Sequence, residues 1–169
     1  MSERQVEIAI DAMGGENSPY KVLKGTEIFL KNEKKTKVIF FGVEKLINDT
    51  IKKNKLEIFN FEVVNADDSI SDEDNVNTIL RSKKNSSIFK GLEYSKNNSN
   101  SGFVSSGSTA AIMVLSRLHM GMIEGIDRPA ICSLVPNKKN YSIMLDLGAN
   151  VIVSAVSYTH LTLPTILLV

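Results

Sequence analysis

The stretch VEIAIDAMGG at residues 6–15 decides the fold. Residues 6–10 form a short apolar run, and Asp11-Ala12-Met13-Gly14-Gly15 closes it with a double glycine, the pattern of a buried strand entering a tight turn. A helix should come next. Ser18-Pro19 supplies an N-cap and a proline at the first helical position, and Val22, Leu23, Thr26, Phe29 and Leu30 then recur on one helical face. The same pattern repeats downstream: residues 38–41 close on Gly42, Leu46, Ile47 and Ile51 make a second helical stripe, and residues 56–64 are rich in β-branched and aromatic side chains. This reads β-α-β-α-β.

Farther along, the acidic residues of 67–74 invite a metal-binding reading, but the spacing and central glycine of a calcium loop are missing. Ser71 with Asp74 instead resembles a capping box, and Arg81, Lys83 and Lys84 fall where a helix C-terminus favours cations, so a helix over 72–84 is expected and no metal. Another stripe, Ile88, Leu92 and Ser95, leads through a polar loop to a strand at 102–105. There Ser106-Gly107-Ser108-Thr109 passes directly into the apolar helix that begins Ala110-Ala111-Ile112. Strands at 130–134 and 142–145 follow, the second ending in Asp146-Leu147-Gly148-Ala149-Asn150. Alternation this regular predicts an α/β fold of three layers, a mostly parallel sheet with helices on both faces.

Open parallel sheets bind ligands at the carboxyl ends of their strands, and three strands here end in small or short polar residues. These are the turns at 11–15, 105–109 and 146–150. Glycine lets backbone amides approach a ligand, Ser and Thr add hydroxyls, and the following helix presents its positive end. A small anion is the expected ligand, with Asp11, Gly14, Gly15, Ser106, Gly107, Ser108, Thr109, Asp146, Gly148 and Asn150 as candidate contacts, and the Ser106–Thr109 turn foremost. The chain lacks both G-x-x-x-x-G-K-[ST] and G-x-G-x-x-G, which disfavours a P-loop or dinucleotide site. Asp11 and Asp146 fit either acid–base groups or turn-holding carboxylates, the second being favoured because strand-end Asp commonly organises its own turn. No catalytic acid or base stands out. His119 sits near a helix end where the dipole alone favours it, and Cys132 reads as a small hydrophobe within an apolar strand.

Bulk composition narrows the classes. With 169 residues and 43% hydrophobic content the chain supports one domain with a core. Twenty Lys and Arg against nineteen Asp and Glu leave a charge of +1, no field to concentrate nucleic acid. A single Cys and a start without an apolar h-region suggest a reducing, cytoplasmic setting.

Five ordered motifs carry a family resemblance. They are Ile8-Ala9-Ile10-Asp11-Ala12-Met13-Gly14-Gly15-Glu16, Lys83-Lys84-Asn85-Ser86-Ser87, Val104-Ser105-Ser106-Gly107-Ser108-Thr109, Gly125-Ile126-Asp127-Arg128-Pro129-Ala130 and Leu145-Asp146-Leu147-Gly148-Ala149-Asn150-Val151. Together they resemble the PlsX family of phosphate acyltransferases over roughly residues 5–151. The resemblance implies transfer of a long acyl chain from acyl carrier protein to inorganic phosphate, giving acyl phosphate for phospholipid synthesis, without a cofactor. It also implies a fold like that of the isocitrate and isopropylmalate dehydrogenases, a homodimer, action at the membrane surface, and a substrate role for Lys84, Asn85 and Ser86. Glu16 replaces the family's usual Asp, and Ser108 and Ala111 replace an Asn and a Gly, which removes one amide donor. A short-chain acyltransferase using acyl-coenzyme A and a non-catalytic phosphate- or nucleotide-binding domain are the alternatives. Members are about twice as long as this chain, by the domain sizes of a two-part enzyme, so residues 1–151 correspond to a truncated N-terminal α/β part. Residues 152–169 contain no Asp, Glu, Lys or Arg and read as a tail foreign to the fold, such as read-through from a cloning or sequencing junction.

Overall fold

The computed structural model describes residues 5–70, 74, 79, 83–126 and 129–147. The chain divides into two compact units, Met1–Met120 and Gly121–Val169. In the first, four strands, β1 (Glu7–Asp11), β2 (Lys37–Gly42), β3 (Phe61–Asn65) and β4 (Ser101–Val104), form one sheet in the order β3-β2-β1-β4. Every pairing is parallel; Ile8, for example, lies opposite Val38 on one side and Gly102 on the other. Among the described residues, the helices that connect and cover them include α1 (Tyr20–Asn32), α2 (Glu44–Lys53), α3 (Ser87–Asn97) and α4 (Thr109–Met120).

Strand alternation sorts the core into layers. Ile10, Val38 and Phe40, with Ile8, Phe61 and Val63, pack on one face against Leu23 and Leu30 of α1 and Ile47 of α2. Their neighbours Ala9, Ile39 and Phe41, with Val64 and Phe103, face the other way and meet Tyr94 of α3. Because both faces are covered, β2 reads as an unbroken apolar run, as buried parallel strands do. Ile88 and Leu92 of α3 then pack on Ala111 and Leu115 of α4. The expected α/β sheet with helices on both faces is present in this unit.

Tyr94 also ties α3 to β1, its hydroxyl donating to Glu7 Oε2 at 2.6 Å. Burial, and then that bond to a carboxylate, push its phenol from 10 up to about 12. An acid whose folded value is raised stabilises the fold below its unfolded value, here 10, and that contribution is lost as pH rises through about 12. Absorbance titration should therefore show one late-ionising tyrosine, and Tyr94→Phe should abolish it and flatten the fall of stability in that range.

Several elements differ from expectation, each for a local reason. Ser18 does not cap α1: the helix starts after Pro19 without a side-chain cap, and the Ser18 hydroxyl turns back to donate to the Gly14 carbonyl. The buried stripe of α1 is Leu23, Thr26, Glu27 and Leu30, and Phe29 is exposed. Glu27 is accommodated by Lys24 and by the Glu57 N–H at 3.0 Å. The strand expected over 56–64 is only Phe61–Asn65, because Lys55 and Asn60 take left-handed backbone angles, φ +51° and +54°, that interrupt extension. The helix expected over 72–84 falls mostly outside the described residues, and Lys83 and Lys84 lie in the turn that precedes α3.

Gly25 sits inside α1, and a Cβ there would meet nothing within 4 Å. With helical geometry and open space, Gly25→Ala should stabilise the protein by about 0.5–1 kcal/mol; a rise in the urea midpoint checks it.

The second unit contains β5 (Cys132–Pro136) and β6 (Tyr141–Leu145), paired antiparallel. This corrects the expectation that both would join the parallel sheet. The cause lies in Asn137, whose side-chain oxygen accepts from the Lys139 and Asn140 N–H groups at 2.9 and 2.7 Å and reverses the chain. Cys132 is exposed on this hairpin, not packed as a small hydrophobe.

Candidate anion site at the switch point of the sheet

Chain order reverses between β1 and β4: β2 and β3 lie to one side of β1, and β4 to the other. Loops leaving the two strands at such a point diverge around a crevice, the usual ligand position in open α/β sheets. Here the loops are 11–15 and 105–109.

Asp11 joins them. Its side chain is 1% exposed. Oδ1 accepts from the Met13 and Gly14 N–H groups at 3.0 and 3.1 Å, and Oδ2 accepts from the Ser105 hydroxyl at 2.7 Å. Ser105 Oγ in turn accepts from the Gly107 N–H at 2.9 Å, so a hydrogen-bonded chain runs from the β4 loop into the β1 loop. A second clasp is the Ser106 hydroxyl, which donates to the Gly14 carbonyl at 2.9 Å.

Close approach explains the glycines. A Cβ on Gly14 would collide with Asp11 Oδ2 and stand 2.6 Å from the Gly107 nitrogen. Gly15 has φ +83°, and a Cβ there would lie 2.9 Å from the Ser106 carbonyl oxygen. Beyond the clasp, the Ser108 carbonyl accepts the first α4 bond from Ile112 N–H at 3.0 Å. The amides of Thr109, Ala110 and Ala111 therefore have no carbonyl one turn earlier in the helix to bond, and they carry the positive end of its dipole.

Of the expected contacts, Asp11, Gly14, Gly15, Ser106 and Gly107 are thus brought together, with Ser108 and Thr109 at the adjoining helix start. Within that set Asp11 holds turns: its oxygens face three donors of the protein itself.

Lys84, Asn85 and Ser86 belong to a separate cluster at the end of β3. The Asn85 side chain donates to Asp67 Oδ2 at 3.2 Å, and Ser86 caps α3 by accepting from the Phe89 N–H at 3.3 Å. Lys84 is exposed there. Since β3 lies two strands from β1, this cluster sits ~10 Å along the sheet edge from the β1 loop. Asp146 follows β6 in the second unit with φ +60°, and Gly148 and Asn150 lie outside the described residues.

Two participants lie outside the expected contacts: Ser105, which the sequence places in the 105–109 turn without a contact role, and Ser18. The Ser105–Asp11 bond spans 94 positions, which no local pattern encodes. Ser18 was misassigned because a serine before proline fits a cap equally well. His119 stacks edge-on against Phe89 at 4.5 Å, its Nε2 has no partner among the described residues, and burial pushes its pKa down. It sits in the last turn of α4, as its sequence position implied, and packs there against Phe89 of α3.

The protein-family model described as "Fatty acid synthesis protein" matches residues 6–162, which takes in both loops of the crevice. The chain belongs to this family. Among family relatives named "Phosphate acyltransferase", that of Caldicellulosiruptor bescii is 36% identical over 143 residues, covering 85% of this chain and 43% of its own length. That of Pelagibacter ubique is 38% identical over 146 residues, covering 86% and 43%. The chain thus spans less than half the length of these relatives. Among solved structures, the EutD phosphotransacetylase from Staphylococcus aureus shares the fold, with a TM-score of 0.64 at 15% identity over 94% of this chain and 51% of that one.

Proposed function

We propose that this chain is the phosphate-handling part of an enzyme that transfers an acyl chain from acyl carrier protein to inorganic phosphate, forming acyl phosphate for phospholipid synthesis. The observation that carries this reading is the clasp between the β1 and β4 loops at the switch point, with α4 beginning directly after the β4 loop. Membership of a family whose relatives are named phosphate acyltransferase supports it.

In this reading Asp11, Gly14 and Gly107 hold the backbone, and Gly15, Ser106, Ser108 and Thr109 meet the phosphate. A phosphate oxygen attacks the thioester carbonyl, the tetrahedral oxyanion forms, and its collapse breaks the C–S bond and releases the carrier thiolate. Positioned N–H donors lower the barrier by holding the small anion and stabilising the oxyanion, with no protein nucleophile. Lys84, Asn85 and Ser86 at the β3 end extend the substrate surface of the first unit. The whole protein has the fold of the isocitrate and isopropylmalate dehydrogenases, works as a homodimer in the cytoplasm and touches the membrane surface through residues beyond this chain. No helix among the described residues is long and apolar enough to cross a membrane.

The test is to join the chain to its genomic downstream sequence and follow acyl-acyl-carrier-protein with and without phosphate. Phosphate-dependent loss of the thioester with acyl phosphate formed is the expected result. A folded, full-length protein that forms none overturns the proposal, and consumption of acyl-coenzyme A alone assigns the short-chain reaction instead.

A further inference from the structure

A groove of about 390 Å³ lies between α1 and the exposed face of β1 and β4, within the ~300–1,000 Å³ range of small-molecule sites. Its head is polar, made by Asp11, Ser105 and Ser106, the same residues that form the clasp. Beyond the head its lining is chiefly apolar: Ile8 and Ile10 from β1, Val104 from β4, and Val22 and Phe29 from α1. Phe29 and Val104 are 39% and 53% exposed, so the protein leaves valuable apolar surface open along one line.

One glycine keeps that line clear, and a second lies on the same sheet face beside it. Gly25 lines the groove from α1. Gly102 is the β4 partner of Ile8 and lies two residues before Val104 on the same strand face. A Cβ at either would meet nothing within 4 Å, and neither has a positive φ. Glycine in a helix or strand interior is unfavourable, and neither backbone strain nor a crowding neighbour explains it here.

We infer that this groove takes the hydrocarbon chain of the acyl substrate, with the reacting head group at the Asp11–Ser105–Ser106 end. The inference rests on the acyl-to-phosphate reading above and adds where the chain lies. Its support is that the groove shares Asp11, Ser105 and Ser106 with the clasp and that the rest of its lining is apolar apart from Gly25, Lys21 and Thr26, which suits a ligand with a polar head and an alkyl tail.

Calorimetric titration of the chain with methylphosphonate and with decylphosphonate below its micelle concentration tests this. Wild type should bind the long probe at least about tenfold more tightly, since several methylenes leave water. Gly25→Leu, which projects into open space from a helix that tolerates leucine, should cut that ratio below about threefold and leave methylphosphonate binding unchanged. Val104→Ser, at an exposed position, should reduce the ratio without refilling the groove. An unchanged ratio in both variants overturns the inference and leaves the phosphate reading standing. Loss of the ratio together with dissociation of a dimer in sedimentation assigns the groove to a second copy and also overturns it. Failure of wild type to bind methylphosphonate counts against the phosphate reading; if decylphosphonate still binds in a Gly25-dependent way, the groove assignment survives, and if neither probe binds, both fall.

Discussion

Asp11→Ala is expected to destabilise the first unit by about 3 kcal/mol or more and to abolish phosphate binding. The side chain is buried, and its removal strands the Met13 and Gly14 N–H groups and the Ser105 hydroxyl, three donors that lose their acceptor at once. An unsatisfied buried donor costs about 1–3 kcal/mol, and partial access of water to the loop keeps the total below the simple sum. Asp11→Asn should be milder, about 1 kcal/mol, since its oxygen still serves the two backbone donors and only the Ser105 contact must be rearranged. Urea unfolding of the two variants separates the cases. Equal stability of Asp11→Ala and wild type would mean that the carboxylate does not hold the loops.

Gly14→Ala should be nearly as damaging, by about 2–3 kcal/mol. The methyl would press on the Asp11 carboxylate and stand 2.6 Å from the Gly107 nitrogen, a backbone atom that cannot turn aside. Relief requires the β1 and β4 loops to separate, which breaks the Ser106–Gly14 and Ser105–Asp11 bonds together. The same Gly→Ala change at Gly25 is expected to stabilise, so the two variants should shift the urea midpoint in opposite directions. Phosphate affinity should fall with Gly14→Ala and hold with Gly25→Ala, because only the first moves the clasp.

The parts of the fold that were readable from sequence are those written in local periodicity. VEIAID with the double glycine beyond it announced β1 and its turn, and residues 38–41 closing on Gly42 announced a second strand; both lie in the sheet as adjacent parallel strands. The α1 stripe was placed correctly at Leu23, Thr26 and Leu30 but not at Phe29, because periodicity reports which side of a helix is apolar and not whether anything covers its margin. Two strands were misplaced for a different reason. The turn-forming side chain of Asn137 sends β6 back along β5, and nothing in the composition of either strand distinguishes that from a further parallel strand.

The site was legible as three small-residue turns and no more. Which turns meet depends on strand order, and the order β3-β2-β1-β4 is a tertiary fact that places residues 11–15 beside 105–109 and the 84–86 motif farther along the edge. The three donors that Asp11 accepts from likewise came into view only in the structure. An acidic residue at a strand end suits catalysis or architecture equally until its hydrogen bonds are counted.

The central claim is that the clasped loops and the first turn of α4 form one anion site. Its most direct test is a backbone amide NMR titration of this chain with inorganic phosphate. Saturable shifts confined to the amides of Gly15, Ser106, Ser108, Thr109 and Ala110 are expected, lost in Gly14→Ala and unaffected by equimolar chloride. Shifts that are absent, that fail to saturate, or that map to the β3 end around Asn85 while the 105–110 segment stays silent would contradict it.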